Sequence, residues 1–297
     1  MTPFTLEWKI TFQDQGKLVR EFLKEQDVSK TALTDIKFAG GGIFINDHPV
    51  TVRHSLCEGE VLKVLFPKEQ PSNDLKPENI PLSIVYEDPY VMVINKPPYQ
   101  QSIPSREAPT GSLANALLHY YQSEGIGSTV HLVNRLDKDT SGLLLVAKHR
   151  HIHHLLSEQQ KSGVLKRTYE AIAHGNFREE VGTIDAPIGR KDDSIIERQV
   201  RQDGQRAVTH FRVLEKHENW THVLLQLETG RTHQIRVHLS YIGHPIMGDD
   251  LYGGDRAEIN RQALHCRQLT FWHPMYHKEA SFHADVPNDM KELLGKA

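Results

Sequence analysis

The stretch HLVNRLDKDTSGLLLVAK, His131 to Lys148, sets polar and charged side chains directly against an apolar run. Leu143 to Ala147 is apolar at every position and reads as a buried strand. Arg135, Asp137, Asp139, Thr140, Ser141 and Gly142 precede it, which places them on a loop at the mouth of a sheet, held by a rigid element. Asp137 is the candidate for reaction chemistry: a carboxylate can act as nucleophile or base when it is desolvated and held by a cation, with Arg135 as a local option. On residue type alone the commoner role of Asp137, Asp139, Thr140 and Ser141 is to bond nearby backbone amides in a turn.

Outward from this segment the pattern is mostly strands. Ser83 to Asn95 reads as a hairpin turning near Asp88-Pro89, and Ser112 caps a helix carrying Leu113, Ala116, Leu117 and Tyr120 on one face. Ile152, Leu155 and Leu156 mark a helix that Gly163 ends. Residues 164–174, 208–214, 222–229 and 264–272 read as further strands, with a helix from about Thr232 to Tyr241. Upstream, Leu18, Val19, Phe22 and Leu23 recur at helical spacing, and Ser29 caps a second helix that Gly40-Gly41-Gly42 ends. Ile43 and Ile45 then run to a turn at Asn46-Asp47, with Val50 and Val52 beyond it and Leu62, Val64 and Phe66 in a last strand. The polar, four-proline stretch from Pro67 to Pro81 reads as a linker. The expected organisation is a small α+β module over 1–67, a linker over 68–80 and a catalytic domain over 81–297. The fold class is α+β, with a mixed, mostly antiparallel sheet flanked by helices.

The chain has 297 residues, 38% hydrophobic and 25% charged, a composition that argues against disorder and fibrous repeats. Its longest apolar runs are far shorter than the ~20 residues of a membrane span, and its start lacks the pattern of a signal peptide. The two cysteines, Cys57 and Cys266, are too far apart to form a metal or redox motif, so a reducing, cytoplasmic setting is expected. A net charge of −3 excludes nucleic-acid binding driven by bulk charge, leaving local patches to do it. One such patch is His131 to Arg167, with seven Lys/Arg against three acids; Lys96 is expected to add to it.

NRLDKDTSGLLLVAK resembles the signature of the RluA-type RNA pseudouridine synthases, H-R-L-D-x-x-T-S-G followed by an aliphatic strand; Asn134 stands where that pattern has His. INKPP (Ile94 to Pro98), KRTYEAIAHG (Lys166 to Gly175), ETGRTHQIRVHLSYIGHPIMGDDLYGG (Glu228 to Gly254) and LHCRQLTFWHP (Leu264 to Pro274) resemble the family's other motifs, in the family's order. The N-terminal module also resembles a small RNA-binding domain of a ribosomal small-subunit protein, although residues 1–67 carry eight Lys/Arg against nine Asp/Glu.

The resemblance implies an isomerase that converts specific uridines of structured RNA, ribosomal or transfer, to pseudouridine. It implies no cofactor, no metal and no membrane, and a monomer with RNA as its partner. Asp137 would be the catalytic carboxylate, attacking ribose C1′ or assisting loss of the base by proton abstraction. Arg236 would be the cation beside it, with Arg231 as second choice, and Tyr169 would stack on uracil or relay a proton. Arg135 would fill the space left by the everted base or hold the flipped phosphate, while Lys96, Arg231 and Thr140 would contact substrate.

His149, His151, His153 and His154 suggest a metal patch, but Ile152, Leu155 and Leu156 take the buried stripe of their helix. The histidines are therefore expected mostly on its solvent face, without converging ligands. His233, His238 and His244 are expected to bond backbone groups in the core or cleft wall, and Gly230 and Gly243 to mark helix boundaries. Two other readings compete: a catalytically inactive RNA-binding or ribosome-assembly protein on the same scaffold, and a His-rich metal hydrolase.

Overall fold

The computed structural model describes residues 4–72 and 74–295. Residues 4–66 form a four-stranded antiparallel sheet with two helices: β1 (Thr5–Lys9), α1 (Val19–Glu25), α2 (Lys30–Phe38), β2 (Gly42–Ile45), β3 (His48–Pro49) and β4 (Val61–Leu65), in the order β1-β4-β2-β3. The Ser29 hydroxyl accepts from the Ala32 amide as the cap of α2, and Asn46 and Asp47 both take positive φ in the β2–β3 turn. The strand β1, which sequence periodicity does not reveal, closes the sheet edge against β4. Leu23, Ile36, Leu56, Leu62 and Val64 fill a core of its own.

The rest of the chain supplies β5 (Ile84–Glu87), β6 (Val91–Lys96), α3 (Leu113–Ser123), β7 (His131–Leu132), β8 (Ser141–Ala147), α4 (Arg150–Ser162), β9 (Lys166–His174) and β10 (Val181–Asp185). There follow β11 (Ile188–Arg190), β12 (Arg198–Val200), β13 (Val208–Lys216), β14 (Trp220–Leu227), α5 (Gln234–Tyr241), β15 (Leu264–His273), β16 (Lys278–His283) and α6 (Asn288–Leu294). Ten of these strands make one sheet, ordered β10-β13-β14-β9-β15-β8-β6-β5, with β16 beside β15 and β7 beside β8. Every pair is antiparallel except β8 with β15. Two antiparallel halves are therefore joined at one parallel seam, and the loop entering β8 opens at that seam. The fold class is the α+β arrangement expected from the strand pattern.

The unbroken apolar run of β8 has a direct cause. Leu143 and Leu145 face the main core with Val91 and Val93, whereas Leu144 and Val146 face Leu113, Leu117 and Tyr121 of α3 together with Met92 and Ile94. Both faces are covered, so alternation is lost; burying each such side chain contributes ~2–3 kcal/mol. Gly142, at φ +110°, lets the seam close: a Cβ there would lie 2.3 Å from the Cys266 carbonyl oxygen.

One expectation needs correction. His149, the N-cap of α4, and His151 do not face solvent: His149 stacks on Phe4 and His151 on Phe66, both aromatics of the N-terminal module, while His153 and His154 are half-buried. Glu69 accepts from the Arg150 amide at 2.8 Å and pairs with His131, and Arg150 reaches Asp35 at 3.2 Å. The second face of α4 is thus covered by a module distant in sequence, which helical periodicity cannot register.

Burial pushes the pKa of His151 down to about 4, with the charges of His154 and His149 acting the same way. The unfolded chain therefore holds more protons than the folded one between about pH 4 and 6.5, and stability rises with pH across that window. This contribution is complete above the upper limit and lost as pH falls, to the extent of ~3 kcal/mol at most. Urea unfolding at pH 7 and pH 5 should show the loss, and His151→Gln should make it shallower, the remainder coming from His149 and His265, which burial also brings down to about 4. An equally steep decline in the variant would remove His151 as the cause.

Candidate active site

Asp137 sits on the loop before β8 with its side chain 29% exposed, facing Arg236 of α5. The Arg236 Nη1 donates to Asp137 Oδ2 at 3.2 Å, and its Nε and Nη2 donate to Asp249 at 2.6 and 2.7 Å. One buried guanidinium thus spans two carboxylates, of which Asp249 is fully covered. The bidentate side fixes the plane of the guanidinium and leaves one N–H for Asp137. The Tyr252 ring lies 4.9 Å from the guanidinium carbon, and its hydroxyl pairs with His233 Nδ1 at 2.7 Å. His233, at φ +58° just ahead of α5, brings its Nε2 to 3.9 Å from Asp137. Burial lowers the pKa of His233, with Asp137 opposing and Arg236 reinforcing the shift.

Tyr169 of β9 lines the same small cavity, about 70 Å³, with Asp137, Arg236, Arg167 and Arg135. Burial, then Cys266, pushes its phenol well above the ordinary tyrosine range, so it is a neutral donor near pH 7. An open groove of about 540 Å³ adjoins this cavity and is walled by Arg135, Lys138, Arg167 and Arg231.

The Asp137 loop is pinned from four sides. The Ser102 hydroxyl donates to the Leu136 carbonyl and accepts from its amide at 2.6 and 3.1 Å. Arg261, held bidentately by Asp289, donates to the Asp139 carbonyl at 3.2 Å. Gln262 donates to the Thr140 hydroxyl at 3.2 Å, and Lys96 donates to the Lys138 carbonyl at 3.0 Å. Such a shell holds a reactive side chain still.

The expected site residues fare unequally. Asp137, Tyr169 and Arg236 converge, although they come from three separate motifs. Arg135 is exposed at the cavity mouth, and Arg231, also exposed, uses its Nε on the Arg206 carbonyl. Lys96 is corrected: it is fully buried, and its ammonium donates to the carbonyls of Pro97, Gln100 and Lys138. Burial brings its pKa down to about 7 against the charges of Asp139 and Asp137. Three carbonyl acceptors match the three protons of the charged form, so Lys96 clamps two loops instead of meeting substrate. Thr140 is 2% exposed; its hydroxyl faces Gln262 and its amide closes the Asp137 turn at 3.1 Å.

The positive stretch from His131 to Arg167 is also only partly at the site: Lys148 pairs with Glu87, Arg150 with Asp35 and Lys161 with Glu158. Asn134, the departure from the family signature, is buried and accepts from the Leu145 amide at 2.8 Å. His238 and His244 bond the carbonyls of Ala186 and His174 as expected. Gly243 follows Ile242, the C-cap of α5, at φ +84°, whereas Gly230 lies four residues before that helix and marks no boundary.

Residues absent from the expected set are Asp249, His233 in contact with the site, Tyr252, Ser102, Arg261 and Gln262. A buried arginine needs a counter-ion, and the acids of Met247 to Asp250 were the available signal for Asp249.

Residues 90–241 match the family model described as RNA pseudouridylate synthase. The chain belongs to the RluA-type RNA pseudouridine synthase family. It is 57% identical to the uncharacterized RNA pseudouridine synthase YjbO of Bacillus subtilis (strain 168), covering 93% of this chain and 98% of that one. It is 38% identical to ribosomal large subunit pseudouridine synthase D of Escherichia coli (strain K12), covering 84% and 83%. The solved structure of human RNA pseudouridylate synthase domain containing 4 superposes with a TM-score of 0.59 at 25% identity, over 72% of this chain and 92% of that one. The chain is accordingly an isomerase of the pseudouridine synthase class. Among the described residues no three His, Cys, Asp or Glu side chains form a metal-ligand group, and no helix is long and apolar enough to cross a membrane.

Proposed function

We propose that this protein isomerises a uridine of large-subunit ribosomal RNA, with Asp137 as the reacting carboxylate. The observation that carries the reading is the Asp137 carboxylate held by one N–H of the buried Arg236, in a cavity that Tyr169 also lines. In the reaction the N1–C1′ bond breaks, a C5–C1′ bond forms, the C5 proton departs and N1 gains one. Product and substrate are isomers, so the chemistry calls for no redox partner or group donor. Asp137 serves either by attacking C1′ or by taking a ribose proton as the base departs; both roles need the carboxylate where Arg236 holds it. Tyr169, a neutral phenol, stacks on or donates to the uracil, and Arg135 at the rim enters the space vacated by the everted base. The choice of ribosomal RNA rests on the relative that acts on the large ribosomal subunit.

Mapping pseudouridine in total RNA from cells with and without the gene tests this. Loss of at least one large-subunit pseudouridine, restored by the wild-type gene, is expected. Loss confined to transfer RNA would move the substrate, and an unchanged map would favour an inactive RNA-binding protein on this scaffold.

A further inference from the structure

Arg167 is 8% exposed, and among the described residues its guanidinium has no hydrogen bond or ion pair. It lies two residues before Tyr169 on β9, so strand alternation puts both side chains on one face, and it lines both the Asp137 cavity and the adjoining groove. Most other buried cations of this protein are occupied: Arg236 by two aspartates, Arg261 by Asp289, Lys96 by three carbonyls and Lys148 by Glu87. The stem of Arg167 is covered while its guanidinium nitrogens stay open to the cavity and groove, so a charge with no protein anion on it is held facing the groove.

Gly230 supplies the second observation. Its backbone is not in the left-handed region, yet a Cβ there would stand 2.9 Å from Arg167 Nη2. The missing side chain leaves room for the guanidinium at the groove wall. With Arg135, Lys138 and Arg231 around it, the charged side chains of the groove are cations except for Asp137, a balance that suits a nucleic-acid backbone more than a neutral base.

We propose that Arg167 is the anchor for a backbone phosphate next to the everted uridine, gripped as a bidentate pair in the space that Gly230 leaves open. This rests on the site reading above and extends it from the reacting carboxylate to the substrate's charge.

The test uses the full-length protein with large-subunit ribosomal RNA transcript, and with a stem-loop spanning the uridine located by the mapping. Arg167→Gln should raise KM by roughly 10-fold or more and lower kcat far less. It should also reduce the slope of log affinity against log salt by about one. A methylphosphonate at the anchored phosphate should weaken wild-type binding to a similar degree and have little further effect on Arg167→Gln. Gly230→Ala, which crowds the guanidinium without removing it, should shift KM in the same direction and serves if Arg167→Gln folds poorly. A fall in kcat with unchanged KM and salt slope would place the guanidinium on the uracil instead and overturn the proposal. Equal methylphosphonate effects in both proteins would do the same. Failure of the site reading itself would show separately, as activity surviving in Asp137→Asn, because the salt slope is measured without turnover.

Discussion

Asp137→Asn should cut uridine isomerisation by more than about 10³-fold while leaving the protein folded and able to bind RNA. The amide is nearly isosteric and can still accept from Arg236 Nη1, so the contact that positions the loop survives in part. What disappears is the negative oxygen that the proposed reaction uses to attack carbon or take a proton. The groove beside Asp137 carries Arg135, Lys138, Arg167 and Arg231, and Asp137 is the acid among them. Removing it should hold RNA affinity constant or tighten it slightly, the opposite of what a binding residue would show. Release of tritium from RNA labelled at uridine C5 reads turnover, and filter binding reads affinity. Near-normal tritium release from the variant would end the assignment. Weak binding together with lost turnover would make Asp137 a structural residue of the loop.

Asp249→Ala should be the most destabilising single change at the site, by about 3–5 kcal/mol. Asp249 is entirely covered and takes two donors of Arg236 at 2.6 and 2.7 Å, so its removal leaves a buried guanidinium held only by the partly exposed Asp137. For a chain of this size the thermal midpoint should drop by roughly 5–8 °C. Turnover should fall as well, by about 10²-fold, because the arginine that aims Asp137 loses its fixed plane. Asp249→Asn keeps the volume and one acceptor and should lie between the two. Thermal unfolding with tritium release in parallel separates the effects. Wild-type stability and turnover in Asp249→Asn would show that Arg236 needs no second carboxylate.

The difference between Asp137 and Asp249 shows how far the sequence could be read. Asp137 sits within a dense polar loop before an apolar strand, a local pattern. Asp249 is one of two adjacent acids, and nothing nearby in the chain distinguishes its buried carboxylate from its neighbour Asp250, which pairs with Arg256 at the surface. Lys96 misleads for a related reason: lysine is seldom buried, and only the meeting of the 97–100 and 137–140 loops supplies three carbonyls to hold it. The short strands β10 to β12 and β16 also escaped the sequence reading, since pairing with partners rather than periodicity makes them strands.

The sequence alone determined the longer strands of the main sheet (β5, β6, β8, β9, β13, β14 and β15) with helices α3 to α5, the caps at Ser29 and Ser112, the buried run Leu143 to Ala147 and the family motifs. These follow from forces between residues a few positions apart, where period, capping and turn chemistry act. Only the tertiary structure decided that Arg236, 99 residues beyond Asp137, shares itself between that carboxylate and Asp249. It alone turned His149 and His151 toward Phe4 and Phe66, and set Arg167 at the wall of the cavity and groove without a protein anion. Burial and charge pairing depend on which surfaces meet, and that is set by the packing of the whole chain.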